Sequence, residues 1–215
     1  DAVRADSPPP VPVAPALEIR GRNLVRAGRR DLLYFGGCDY YRLAHEHRVV
    51  LNQLPYGWTG KVDEPAPKLG GDGKWDWTKF DAEFGPLLDG SAFADLPRGA
   101  VPVDAYYLLL NENWPMKHDE HFKGGYWIES AFDEAYWTQF RAMAAEIAKH
   151  LEAKGWTEPM FEFYLNNKVY FKKDDWRKCT AAWIFDEPVH TQDFWAIRHY
   201  GREFWNAVAP YPRVN

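Results

Sequence analysis

An α/β fold with a mostly parallel sheet is the class this sequence predicts. Three observations point there. Apolar runs of strand length alternate with stretches of helical periodicity. The best of the strand runs, VPVDAYYLLL, is nearly continuously apolar rather than alternating, as strands covered on both faces are. Long loops follow the strand ends. Alternation of this kind is built by right-handed crossovers onto parallel strands.

The elements follow in order. Residues 1–17, DAVRADSPPPVPVAPAL, carry proline too densely for a sheet or a helix and read as a disordered or extended linker. Residues 18–215 read as one α/β domain. Asp31-Leu32-Leu33-Tyr34-Phe35 is a short strand candidate, and Tyr40 to His47 a short helix. Arg48 to Leu54 is β-branched and apolar, closed by Pro55, and predicts a buried strand. Residues 55–75, rich in Gly, Pro and Lys, predict a long loop. Asp76 can cap a helix burying Trp77, Phe80, Phe84, Leu87 and Leu88, with Gly90 as its stop. Val101 to Asn111 predicts a strand. The loop after it is long for a compact domain, which makes it a candidate functional loop. Ser130 and Asp133 resemble a capping box for a helix burying Phe132, Tyr136, Phe140, Met143, Ile147 and Leu151, stopped by Gly155. Met160 to Leu165 and Ala181 to Phe185 predict strands. Thr191 can cap a last helix with Phe194, Ile197, Phe204 and Val208 inward.

Closed into a ring, this order gives a (β/α) barrel of the TIM type, about 250 residues in its usual form. The chain has 215 residues and few secure strands, so a partial or reduced barrel is expected.

Composition narrows the function. With 26 Lys+Arg against 31 Asp+Glu the net charge is -5, without the basic footprint of a dedicated nucleic-acid binder. No apolar run reaches the roughly 18–20 residues of a membrane span. Cys38 and Cys179 fit no metal-site spacing; a disulfide and two thiols are both open. The 11 Trp, 12 Tyr and 13 Phe exceed what a core requires. Flat rings with a polar handle line sugar-binding clefts and adhesive interfaces.

Two acidic motifs lie at predicted strand ends: Asn111-Glu112-Asn113-Trp114-Pro115 and Asp186-Glu187-Pro188. In a barrel, a carboxylate at the C-terminal end of a strand points into the mouth where substrate enters. Two of them supply what glycoside hydrolysis needs, a proton donor and a nucleophile or stabilising base. Trp58, Trp114 and Trp183 are candidates to stack on sugar rings, as is Trp127. Asn111, Tyr164, Asn166 and Asn167 are candidates to bind hydroxyls. Trp137, Trp195 and Trp205, on helices, are assigned to core packing. His118-Asp119-Glu120-His121 has metal-like spacing but no further ligands nearby, so no metal and no cofactor are expected.

These motifs, with Trp75-Asp76-Trp77 and Phe80-Asp81 in support, resemble the catalytic barrels of glycoside hydrolases. The likeness is to family 123 and related bacterial proteins, over about three quarters of the chain. The resemblance implies a carbohydrate substrate and an extracellular or periplasmic setting. It also implies a substrate-assisted mechanism, with Glu187 protonating the leaving oxygen and Asp186 orienting the substrate's acetamido group. The Asn111-Glu112 pair is similar instead to the acid/base signature of retaining barrel glycosidases. Glu187 is then the nucleophile, with carboxyls about 5–5.5 Å apart. A non-catalytic carbohydrate-binding module on a degenerate barrel is the alternative.

Overall fold

A computed structural model describes residues 39–52, 54–57, 60–62, 64–165 and 183–212. The chain divides into two compact units, 1–40 and 41–215. The description below concerns the second; the proline-rich segment, the 31–35 strand candidate and both cysteines lie outside the described residues.

The elements are α1 (Asp39–Glu46), β1 (Lys68–Leu69), β2 (Trp75–Asp76), α2 (Thr78–Leu88) and a 3-10 turn (Ser91–Phe93). They continue with β3 (Ala105–Tyr107), α3 (His118–His121), α4 (Ile128–Ala131), α5 (Glu134–Lys154), β4 (Met160–Glu162) and α6 (Thr191–Val208). The fold mixes helix and strand, as expected of an α/β chain. β3 and β4 run parallel, in register Ala105 with Met160 and Tyr107 with Glu162, and α5 lies between them in the chain. That is one β/α/β unit. β1 and β2 form a separate antiparallel pair. Among the described residues the sheets have two strands each and no barrel closes. No helix among them is long and apolar enough to cross a membrane.

The core is organised by α5. Tyr136, Trp137, Phe140, Met143, Ala144, Ile147, Ala148 and Leu151 recur every three or four residues and are all buried. Such a stripe occupies one helix face. It packs on α6, whose inward residues include Ala196, Tyr200 and Val208, and joins Tyr106 and Leu108 in one apolar cluster. Burying a ring such as Phe140 completely is worth about 1.5–3 kcal/mol. Both ends of α5 are encoded locally. The Asp133 side chain accepts from Tyr136 N at 2.9 Å, and Gly155 stops the helix at φ 72°. The expected cap at Ser130 lies instead inside α4, one turn early. At α2, Asp76 Oδ1 accepts from Thr78 N at 3.0 Å. The Asp81 carboxylate receives His150 Nε2 at 2.7 Å and Lys154 Nζ at 2.6 Å, tying α2 to α5.

Three expectations need correction. Residues 48–52 and 54 form no strand. Arg48 sits at φ 53°, a left-handed turn, and Val49 and Val50 are 60% and 50% exposed. The segment still reaches β3, because Asn52 Oδ1 accepts from Tyr107 N at 2.8 Å. A side chain takes the edge position a neighbouring strand would have used. Trp183 to Phe185 form no strand either. Phe194, Trp195 and Trp205 are exposed, because α6 turns Asp193, Ala196 and Tyr200 inward.

Candidate functional site

The parallel register brings the chain out of β3 and β4 at one edge. Leu108 N donates to Glu162 O at 2.9 Å, so pairing persists one residue past β3. Beyond it the two segments carry Asn111-Glu112 and Tyr164.

The Asn111-Glu112 corner is enclosed. Leu108, Leu109 and Leu110 are buried, and Asn111 and Glu112 are each 0% exposed. Asn111 spends its amide on the backbone: Nδ2 donates to Gly60 O at 3.0 Å and Leu109 O at 3.1 Å, while Oδ1 accepts from Asn113 N at 2.8 Å. Gly60 permits this approach. A Cβ there would lie 2.4 Å from Asn111 Oδ1, and its φ of 73° also favours glycine. Asn113 Oδ1 accepts from His118 N at 2.9 Å, and Trp114 packs half-buried, edge-on to Trp75 with ring centroids 5.9 Å apart. Asn111 therefore shapes the turn, with its amide turned to the backbone rather than to a substrate hydroxyl.

Around Glu112 stand tyrosines. Tyr136 Oη donates to the Glu112 carbonyl at 2.6 Å and lies 2.6 Å from Tyr200 Oη. Burial, more than any neighbour, holds the Tyr136 and Tyr200 phenols well above their ordinary range, and the Glu112 carboxylate adds to the effect. Tyr56 is raised in the same way, by burial and then by Glu112. Its Oη donates to Tyr164 O at 2.5 Å. The rings of Tyr107 and Tyr164 are 5.7 Å apart. Burial, then Tyr107, then the carboxylates of Glu112 and Glu187, raise the Tyr164 hydroxyl. Carboxylates of both acidic motifs thus contribute at the Tyr164 hydroxyl.

The second motif is open. Asp186 is half-buried and Glu187 exposed, on an irregular segment between Trp183 and the first turn of α6. Trp183 is 0% exposed, its Nε1 donating to Tyr126 O at 2.9 Å. Its indole fills the core between Phe132 and Phe185 and offers no face to a sugar. Trp127 by contrast is exposed. Trp58, Asn166 and Asn167 lie outside the described residues.

The histidines of α3 are structural. His118 is buried, stacked 4.7 Å from Phe122, and His121 Nδ1 lies 3.0 Å from Asp133 Oδ1. Among the described residues no three His, Cys, Asp or Glu side chains gather as a metal site.

Sequence reasoning missed Tyr56, Tyr107 and Asp193. Nothing local distinguishes Tyr56. Tyr107 stood within the strand run as one more apolar ring. Asp193 had a signal, an acid three residues after His190 at the start of a helix, which is the spacing of a capping box. Comparison of the chain with protein families, curated proteins and solved structures found no match.

Proposed function

We propose that the chain is a glycoside hydrolase built on a partial (β/α) barrel, with Glu187 as the proton donor and Asp186 beside it as the residue that orients the substrate. One observation carries the reading: Tyr164, two residues past β4, lies within electrostatic reach of Glu112 from the β3 side and of Glu187 from the third segment. The carboxylates of both acidic motifs thus act on one hydroxyl beyond the C-terminal end of a parallel pair, the edge at which α/β folds bind ligands.

The exposure of Glu187 favours the substrate-assisted form over the retaining pair. A general acid must reach the leaving oxygen. Glu187 is open to solvent, whereas Glu112 has no solvent-reachable surface. Half-buried Asp186 next to it suits a carboxylate that is held still while it orients a substrate amide. Tyr164 and half-buried Trp114 complete the substrate-facing set on this reading. The carbohydrate is one bearing a 2-acetamido group, because that group supplies the nucleophile.

The experiment is hydrolysis of chromogenic glycosides with and without a 2-acetamido group. The wild-type chain is expected to cleave the acetamido series, and Glu187→Gln to lose the activity by about 10²-fold or more while its melting temperature holds. An active Glu187→Gln enzyme overturns the assignment. The enclosure of Glu112 favours one second reading, a carbohydrate-binding module without turnover, for which binding of the same sugars without hydrolysis is the signature.

A further inference from the structure

We infer that Asp193 is a positioning residue whose buried carboxylate anchors the loop carrying Asp186 and Glu187. The inference rests on the function proposed for that loop. Asp193 is 4% exposed and stands in the first turn of α6. Its Oδ2 accepts from His190 N at 2.8 Å and from Val189 N at 3.0 Å, and its Oδ1 accepts from Ile184 N at 3.2 Å. The bond to His190 N is the ordinary half of a capping box, which satisfies one orphan donor at a helix start. The other two exceed what a cap needs. Ile184 precedes the acidic pair and Val189 follows it, so one side chain grips the loop on both sides of Asp186-Glu187.

The loop needs such an anchor because it has no regular structure of its own. Residues 183–190 belong to no helix or strand, so no ladder fixes the direction of Glu187. A carboxylate suits the task where an amide does not. It offers two acceptor oxygens and no donor. An asparagine would turn an NH2 group toward either Ile184 N–H or the Val189 and His190 N–H pair, donor against donor. A proton donor displaced by about 1 Å can lose on the order of 10²-fold in rate, so small freedom in this loop is expected to appear in kcat.

Two variants of the full chain test the inference. Glu at this helix position is the usual capping-box partner, so Asp193→Glu keeps the helix start while its extra methylene disturbs the grip on Ile184. Asp193→Asn removes one acceptor. Amide hydrogen exchange is followed at Ile184, Val189 and His190, with the α5 interior as reference, beside kcat and KM on a chromogenic glycoside. Both variants are expected to speed exchange within 183–190 alone and to lower kcat by about 10- to 100-fold with KM held within about twofold. A purely structural cap predicts that Asp193→Glu is neutral in both readouts, and that result overturns the inference. So does exchange that accelerates equally throughout α5, which marks general destabilisation. If the wild-type chain cleaves no glycoside but the loop amides are released, the functional reading falls and the anchoring stands. If the wild type is active and both variants match it, the positioning role falls and the functional reading stands.

Discussion

The two acidic corners look alike in sequence and differ in the fold. Asn111-Glu112 and Asp186-Glu187 each follow an apolar run and each precede a proline. The first is sealed: Asn111 is tied to three backbone groups, and Glu112 is fully buried with its carbonyl bonded to Tyr136, which in turn pairs with Tyr200. The second is open, held from below by Asp193 with Glu187 facing solvent. The difference teaches that a carboxylate at a strand end is defined by what the neighbouring loop does. The 60–62 segment comes within hydrogen-bonding distance of Asn111 and helps close the first corner. Comparable cover is absent over Glu187 among the described residues. A buried polar corner contributes stability and order because unpairing its groups is costly. An exposed acid contributes little to stability and remains available for chemistry.

Substitutions at the two corners are therefore expected to act on different quantities. The largest stability effect is expected from Asn111→Ala. It strips partners from Gly60 O, Leu109 O and Asn113 N. At roughly 1–3 kcal/mol for each buried group left unpaired, the loss is about 3 kcal/mol or more in urea unfolding. Glu187→Gln, the matching change at the open corner, is expected to stay within about 0.5 kcal/mol of wild type. A similar loss at both positions would erase the distinction.

Tyr136→Phe sharpens it at a smaller scale. Removing one hydroxyl leaves the Glu112 carbonyl and the Tyr200 hydroxyl short of a partner, at about 1–3 kcal/mol. The same phenols set the alkaline limit. Tyr56, Tyr136 and Tyr200 are raised above the ordinary phenol value of 10.0, chiefly by burial. A group whose pKa is raised on folding contributes its full stability below the unfolded value and loses it as pH climbs through the folded one. Unfolding free energy is therefore expected to fall above about pH 10, with tyrosinate absorbance appearing together with unfolding rather than ahead of it. Free ionisation of all tyrosines before unfolding would contradict the enclosure.

The smallest effect is expected on the acid side. The backbone N–H of Tyr136, then His121, hold the Asp133 carboxyl below its ordinary 3.8. A depressed pKa works the other way: its stability is present above the unfolded value and is lost as pH falls through the folded one. Asp133→Asn is expected to flatten the pH dependence of stability below about pH 4 and leave the alkaline limb unchanged, as read by unfolding across pH.

Much of the helical architecture was legible in sequence because its signals are local. The stripe from Tyr136 to Leu151, the Gly155 stop and the Asp76 side chain at the start of α2 each depend on residues within a turn or two. Strands were less legible. Val49 and Val50 have the side chains of a buried strand, yet Arg48 turns the chain and Asn52 fills the edge beside β3. Aromatic residues were read well where a long periodic stripe surrounded them, as at Trp137. They were misread where one face of a helix had to be chosen, as at Trp195 and Trp205.

By itself the sequence determined that this chain mixes helix and strand, which stripe its longest helix buries and where Gly155 stops it, and that two acidic motifs follow apolar runs. Those properties rest on backbone geometry and side-chain period, which neighbouring residues impose. Only tertiary structure decided which acid is sealed and which is open, that Trp183 belongs to the core, and that Asp193 grips the loop beside Glu187. Burial and long-range hydrogen bonds depend on segments far apart in the chain, such as Gly60 with Asn111 and Tyr56 with Tyr164, and no local pattern encodes which of them will meet.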